Sequence, residues 1–475
     1  MWTECNPGKL VFGRLGRRRV ESAFDGGAIS SDGGLLLLRE IADRHGIFTA
    51  AASCFTDHRK SSLIEHRVEE LIAQRVLGLA CGYEDLNDHD ALRHDPLFGV
   101  AVGKREPTGK NRRRVRDQGK SLASSSTLNR LELTPAHAGP GGRYQKIVCH
   151  FKAFDRLFLD MGLSIDDKPP TRIILDIDAT DDIIHGNQEG RFYHGYYGHY
   201  CYLPLYVFWG DRPLLARLQT ADKDPARDAV KELKPIIEAI RSQWPEVDIW
   251  LRGDSGFARD ALMSWCEKHH VHYLFGLARN RRLEKAIVQE QAQAKRIQVE
   301  TGAPARRFKD FEYRTLTSWS RARRVVGKAE QLEGKANPRF VVTSLPPHQV
   351  EAEELYQTHY CERGEMENRI KEQQLDLFAD RTSTKQQRSN QIRLWFSTLA
   401  YVLLAELRRV GLHNTALQNA RVGTIRTRLL KIGARIRVSV RRVRVSLSSC
   451  HPLAELFATA WKNIEAGLPR IPLSA

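Results

Sequence analysis

The stretch Arg172-Ile173-Ile174-Leu175-Asp176-Ile177-Asp178-Ala179-Thr180-Asp181-Asp182 reads as an apolar strand that runs into a cluster of acids. The strand period of two puts Asp176 and Asp178 on one face, near the C-terminal end. Two carboxylates on one face repel unless a cation or a base lies between them, so this strand end asks for a metal ion. The acids form an island: 475 residues carry 74 lysines and arginines against 57 acidic residues, a formal charge of +17, with a pI near 9.6. Such an excess favours a polyanionic partner, because each neutralised phosphate releases condensed counterions. An acidic island in a basic chain suggests a cation site that faces nucleic acid.

Downstream of this strand, Cys201–Trp209 and Pro213–Thr220 read as two further strands, Arg227–Gln243 as a helix and Asp248–Arg252 as a fourth strand. A helix over Asp260–His269 and a fifth strand over His272–Leu277 complete the run. Three strands, then helix, strand, helix, strand is the order of a ribonuclease H-like core, although many α/β folds share most of it. A charged helix over Leu283–Ile297 and strand-like stretches at Phe308–Trp319, Arg323–Gly327 and Arg339–Ser344 read as an inserted β-rich subdomain. Helical Glu351–Leu377 and the strongly apolar helix Gln391–Val410 follow. Upstream, after a strand-like Lys9–Leu15, the chain reads as mainly helical: Ile64–Ala80 has helical periodicity, and Ser30 or Ser31 is placed to cap a helix over Leu35–Ile41. The tail adds strands near Ala434–Leu447 and a helix over Pro452–Glu465, and there is no internal repeat.

The expected fold class is therefore α/β, a mixed five-stranded sheet with helices, interrupted by the β-rich insertion and flanked by a helical N-terminal region and a small C-terminal region. The expected boundaries are 1–165 for a helical DNA-binding region and 166–281 for the first part of the core. The insertion takes 282–346, the second part of the core 347–412 and a basic C-terminal region 413–475.

Two more motifs carry acids in chemically suggestive settings. Asp254 lies just beyond the apolar strand, within Arg252-Gly253-Asp254-Ser255-Gly256-Phe257, where glycines free the backbone to bring a carboxylate close to a neighbouring strand end. Read alone, Asp-Ser-Gly is also ordinary turn chemistry, with the aspartate capping the next helix. In Tyr360-Cys361-Glu362-Arg363-Gly364-Glu365-Met366-Glu367-Asn368-Arg369-Ile370-Lys371, helical spacing puts Tyr360, Arg363, Glu367 and Lys371 on one face. A carboxylate flanked by two cations and a phenol can bind metal and phosphate together; the same charge pattern also describes a solvated, salt-bridged helix.

The basic residues cluster. Lys104–Lys120 lacks periodicity and reads as an exposed loop or arm, either a linker or a phosphate-binding element, followed by Ser124 to Thr127 as caps for a helix that starts near Leu128. Arg112, Arg113, Arg114 and Arg116 in this segment, with Arg441 and Arg442 in the arginine-rich stretch Arg421–Arg444, are the expected DNA contacts. Eight scattered cysteines without a CxxC pair indicate neither a zinc ribbon nor a disulfide framework. No signal segment precedes the first strand, and no apolar run reaches the roughly eighteen residues that span a bilayer, so a soluble cytoplasmic protein without a membrane partner is expected.

Taken in order, the Asp-x-Asp-Ala-Thr-Asp-Asp strand end, the Arg-Gly-Asp-Ser-Gly-Phe turn and the Tyr-x-x-Arg-x-x-x-Glu helix resemble the DDE transposases of bacterial insertion sequences. Insertion-sequence family thirteen-eighty is the most similar, as His185-Gly186, Gln188-Glu189-Gly190 and Tyr196-Tyr197-Gly198 also indicate. The similarity runs from Ile29 to about Arg409. It implies Asp178, Asp254 and Glu367 as catalytic and metal-holding carboxylates, with Tyr360 and Arg363 in the signature helix. The related signature has a lysine where this chain has Gln374, and Lys371, one turn after Glu367, is the nearest substitute. Asp176 stays a rival to Asp178, since both face the same way.

The resemblance further implies two magnesium ions, for which manganese can substitute, with Asp178 bridging both, Asp254 holding one and Glu367 the other. It implies cut-and-paste transposition of an insertion sequence on double-stranded DNA: the terminal inverted repeats are bound, cleaved and joined to target DNA by a homodimer that pairs the ends, with a cytoplasmic location at the nucleoid. Trp319 and Trp395 are candidates for stacking a flipped base, against a role in packing. A nuclease on this fold that cleaves without joining would carry the same carboxylates, whereas a DNA-binding descendant without catalysis would have no need of them.

Overall fold

A computed structural model of the chain describes residues 8–164, 169–224 and 226–468. It divides into two compact units, one of Phe151–Leu375 with Ala379–Thr398, the other of Met1–His150, Asp376–Phe378 and Leu399–Ala475. The expected boundary at 165 and Cys5 lie outside the described residues.

The second of these units opens with an antiparallel hairpin, β1 (Leu10–Leu15) and β2 (Arg18–Ser22), followed by the short β3 (Ile29–Ser30). Helix Val68–Ala80 is buried on nearly every side, and its buried polar side chains are partnered, Arg75 by Glu132, Glu70 by Lys104 and Gln74 by the Ala123 backbone. Helix Leu35–His45 starts at Gly34 with no side-chain cap, contrary to the expectation for Ser30 or Ser31. The Ser30 hydroxyl instead donates to Asp95 at 2.6 Å, and Ser31 to Asp32 at 2.8 Å. The amides of Gly33 and Gly34 already reach the carbonyls of Ile432 and Leu430, and a Cβ on Gly34 would sit 2.0 Å from the Leu429 carbonyl. That approach admits only glycine. Two further short strands, β4 (Phe55–Asp57) and β5 (Ile147–Cys149), pair antiparallel.

The other unit is built on one large sheet. Its strands are β6 (Arg172–Ala179), β7 (Asp182–Ile183), β8 (Phe192–His194), β9 (His199–Trp209), β10 (Arg212–Thr220), β11 (Asp248–Gly253) and β12 (His272–Leu277). After two helices, Arg281–Ala286 and Val288–Thr301, come β13 (Ala305–Tyr313), β14 (Arg323–Leu332), β15 (Lys335–Ala336) and β16 (Arg339–Thr343). The order across the sheet is β10-β9-β6-β11-β12-β16-β14-β13. β6, β11 and β12 run parallel, and β9 lies antiparallel to both β6 and β10. The strands between Arg282 and Pro346 thus extend the central sheet through the β12–β16 pair, where the sequence reading expected an insertion with β structure of its own. Pairing with β16 closes what would otherwise be an open edge at β12.

Alternation along β6 decides what each face does. Ile173, Leu175 and Ile177 pack with Leu233, Ile237 and Ile240 of helix Ala229–Gln243 and with Leu262 and Met263 of helix Asp260–Lys268. On the opposite face, Trp250, Leu274 and Val341 pack against Leu355 and Tyr356. The sheet therefore offers one face to apolar burial and the other to the segment that carries Tyr360 to Lys371.

Returning to the first-described unit, β17 (Ala434–Val438) pairs antiparallel with β18 (Val443–Leu447) and with β3. Helix Ala454–Gly467 follows. Among the described residues no helix is long and apolar enough to cross a membrane.

Candidate active site

Asp176 and Asp178 emerge on the same face of β6, as the period of two predicts, but they meet different surroundings. In register, β11 sets Arg252 beside Asp176 and Gly253 beside Ile177, so Asp254 follows at the end of the sheet where Asp178 lies. Asp176 has a side chain only 4% exposed. Arg252 takes both of its oxygens, at 2.7 and 2.9 Å. Asp178 is 15% exposed and accepts one bond from Arg363, at 3.1 Å. The same guanidinium donates to Glu367 at 2.5 Å. Asp254 accepts from the Gly256 amide at 2.9 Å, capping the turn Ser255–Phe257. Its other oxygen has no hydrogen bond among the described residues.

The segment that brings Arg363 and Glu367 here is continuous but not uniform. Leu355–Tyr360 is π-helical, Cys361–Arg363 a 3-10 turn, Gly364–Lys371 α-helical and Glu372–Asp376 π-helical again. Single-turn π segments inside helices cluster at functional sites. Arg252 explains one transition, since it donates to the His359 carbonyl at 2.6 Å and reaches Glu362 at 3.2 Å. A carbonyl engaged from outside no longer depends on the helical ladder. Lys371 is exposed and bonded to nothing among the described residues. Gln374 points instead at the end of β6, where its amide donates to Asp182 at 3.0 Å and to the Asp181 carbonyl at 3.2 Å. Tyr360 rests over Gly276: a Cβ there would lie 2.5 Å from the tyrosine oxygen and 3.1 Å from the Ser255 amide.

Burial pushes the Asp178 carboxyl up to about 7, with the negative charges of Asp254 and Glu367 acting in the same direction and Arg363 opposing them. Burial also raises Asp176, against the hydrogen bonds and charge of Arg252. Carboxylates that raise one another in this way are close neighbours that need a cation. Arg363 supplies that charge here. With its guanidinium bonded to both Asp178 and Glu367, no three His, Cys, Asp or Glu side chains among the described residues stand in ion-holding range. The donor set, three carboxylates, nevertheless suits a hard divalent cation such as magnesium.

The basic candidates separate as well. Lys104–Lys120 is not a free arm: Lys104 pairs with Glu70 at 2.6 Å, Arg112 with Glu65 at 3.2 Å and Arg93 with Asp117 at 3.1 Å, and Arg113 donates to the Ser62 carbonyl. Local carboxylates that the charge count overlooked hold the segment down. Arg114 and Arg116 stay exposed, as do Arg441 and Arg442. The register of β17 and β18 adds a feature that spacing alone did not disclose, Arg437 directly opposite Arg444 on the exposed face. Like charges so placed repel. Neither tryptophan fits a stacking role, since both are buried. Trp319 packs edge-on against Tyr313, and Trp395 stacks on Phe154 while donating to the Ala216 carbonyl. The seven described cysteines are all free.

No curated protein matches the chain. Among solved structures, a piggyBac transposase synaptic complex with hairpin DNA, seen by cryo-electron microscopy, is similar at 11% identity over 94% of this chain and 87% of that one, with a TM-score of 0.39. The family described as transposase DDE domain group 1 matches residues 12–468, nearly the whole length. The chain therefore belongs to the DDE transposases.

Proposed function

We propose that this chain is a cut-and-paste transposase whose catalytic carboxylates are Asp178, Asp254 and Glu367. The observation that carries the reading is their arrival, from β6, the β11 turn and the signature segment, around the single guanidinium of Arg363 in a chain of this family. The order of the first five long strands across the sheet, third-second-first-fourth-fifth with the second antiparallel, supports a ribonuclease H-like core. Bacterial insertion-sequence family thirteen-eighty is the proposed subgroup, on the motifs quoted above.

Asp178, Asp254 and Glu367 would hold two magnesium ions, for which manganese can substitute. When bound, the ions supply positive charge to the attacking and leaving oxygens of an in-line displacement. Arg363 neutralises Asp178 and Glu367 until then, and its planar fork of donors is afterwards available to a phosphate oxygen. Asp176 is assigned a structural role, because Arg252 already occupies both of its oxygens. The turn made by Gly256 holds Asp254 in one orientation, and Tyr360 above Gly276 closes the site from the β12 side. Water serves as nucleophile to free a 3′-hydroxyl at the element's end, and that hydroxyl then attacks target DNA. Terminal inverted repeats and target are double-stranded DNA, gripped by exposed arginines: Arg114 and Arg116 in the loop, Arg437, Arg441, Arg442 and Arg444 on the hairpin. Two protomers pair the two ends.

The test is cleavage and joining of DNA that carries the element's ends, with magnesium, by wild type and by Asp178→Asn, Asp254→Asn and Glu367→Gln. Each substitution is expected to abolish both steps while leaving DNA binding intact. Wild-type activity in any one variant removes that residue from the triad, and cleavage without joining by the wild type reduces the protein to a nuclease.

A further inference from the structure

The β8–β9 hairpin displays aromatic side chains to solvent beside the candidate carboxylates. Tyr196 is 87% exposed, Tyr193 58%, Tyr200 43% and Phe192 41%. Large rings left in water are costly in hydration, and here they are concentrated within nine residues of one hairpin. The register explains the location. β9 runs antiparallel to β6, with Asp178 opposite Tyr206, so the earlier residues of β9 continue past the end of β6 on the side where its carboxylates emerge. His199 ties the hairpin back to that end through Asp181, at 2.7 Å. Tyr197 folds inward against His194 and the apolar patch of Cys201 and Leu203, anchoring the turn. Burial raises the Tyr197 hydroxyl to about 12, and the charges of Asp181, Asp178 and Asp254 add to the rise, which agrees with the closeness of hairpin and carboxylates.

The hairpin itself carries no carboxylate. No acidic residue occurs between Glu189 and Asp211, and the Arg191 guanidinium lies 4.6 Å from the centre of the Tyr200 ring. Tyr193 and Tyr200 form a cross-strand pair with centroids 5.6 Å apart, nearly perpendicular, which leaves ring faces open. Exposed π faces with the Arg191 cation nearby suit the flat bases of an unpaired strand.

We infer that Tyr193, Tyr196 and Tyr200 form a stacking platform for unpaired nucleotides of the DNA strand held at the carboxylates. The inference rests on the transposase reading for the identity of the strand. It gives the protein a means of holding bases splayed out of the duplex next to the phosphate to be cut, the task for which the two buried tryptophans are unsuited.

Because stacking tolerates any base, the probe needs no knowledge of the element's ends. Binding of a single-stranded oligothymidylate and of an arbitrary duplex of equal length is measured by fluorescence anisotropy without divalent ions, for wild type, Tyr193→Ala, Tyr196→Ala, Tyr200→Ala and Tyr196→Phe. Each alanine is expected to weaken single-strand binding about tenfold, with duplex binding changed less than about twofold and phenylalanine close to wild type. Equal losses on both probes, or none, overturn the platform. So does a change in oligomeric state by light scattering with single-strand affinity unchanged, which would make the patch a contact between copies. Magnesium-dependent DNA cleavage by the wild type is run alongside: if it is absent the transposase reading fails, whereas cleavage with unaltered single-strand binding by the alanine variants sinks only the platform.

Discussion

Asp176 and Asp178 stand two residues apart on one face of one strand, each beside an arginine, and differ in nearly everything else. Arg252 donates to both oxygens of Asp176 in a pair almost sealed from water, 7% and 4% exposed. Arg363 divides itself between Asp178 and Glu367, and Arg363 and Asp178 are 17% and 15% exposed. A carboxylate whose two oxygens are both taken, bidentate and dry, has nothing left for a metal or a phosphate. One that shares its arginine with a second carboxylate, and whose other oxygen accepts only the Ala179 amide at 3.0 Å, has a cation that can leave. Role on this strand is thus set by the partner arginine and by where burial ends.

The largest expected effect comes from breaking the open pair. Asp178→Asn should reduce DNA cleavage by about three orders of magnitude or more, on the scale of catalytic groups that act as a unit, with little change in unfolding midpoint. Asp176→Asn should do the reverse, keeping measurable cleavage while losing stability in urea. A stable, inactive Asp176→Asn protein would exchange the two roles.

Next in size is the closed pair itself. Arg252→Met leaves Asp176 buried without its partner, which typically costs about 3–5 kcal/mol. The double variant Arg252→Met with Asp176→Leu removes both charges and should recover most of that loss in urea unfolding. Cleavage by the double variant should stay low, because the His359 carbonyl and Glu362 still lack the donor that sets the signature segment. Full recovery of cleavage would show that Arg252 does not position that segment.

How far the sequence disclosed this site follows from the same two pairs. Period-two alternation placed both aspartates on one face, and the five core strands fell within a few residues of where hydrophobic patterning put them, because one face of β6 is aliphatic without interruption. The partner arginines were not legible. Arg252 was only a letter beside Asp254, since its pairing depends on parallel register across 76 residues of chain, and Arg363 was legible only as a face-mate of Glu367. The π-helical turns were also hidden, because a carbonyl drawn off by a distant guanidinium leaves no local trace. The insertion read as separate because strand pairing between β12 and β16 is non-local. Exposed and buried tryptophans look alike in a sequence, so the burial of Trp319 and Trp395 has no signature there.

A smaller effect should follow from Gly276→Ala. The added methyl meets the Tyr360 oxygen at 2.5 Å and the Ser255 amide at 3.1 Å, on the Asp254 side of the site and away from the Arg252–Asp176 pair. Displacing Tyr360 and the turn that holds Asp254 should lower kcat for cleavage roughly tenfold to a hundredfold, in line with small misplacements of reacting groups. Adding Tyr360→Phe, which removes the clashing oxygen, should restore part of the loss. Equal activity of Gly276→Ala and wild type would mean the tyrosine moves aside freely.

Asp182 extends the comparison to a carboxylate with no arginine at all. It is fully buried, one oxygen accepts the Gln374 amide at 3.0 Å, and the other has no partner among the described residues. Burial holds its carboxyl well above the ordinary range. A folded-state pKa above the unfolded value means that the folded protein favours the protonated acid, so this group's contribution to stability is complete below about pH 3.9 and is lost as pH rises towards the folded pKa. Asp182→Asn keeps the acceptor for Gln374 and cannot ionise. Urea unfolding of both proteins at pH 5 and pH 8 should therefore show the wild type losing stability relative to the variant as pH rises. A constant difference between the two proteins across that range would mean that Asp182 is already charged at pH 5, which its lack of any cation makes the harder state to sustain.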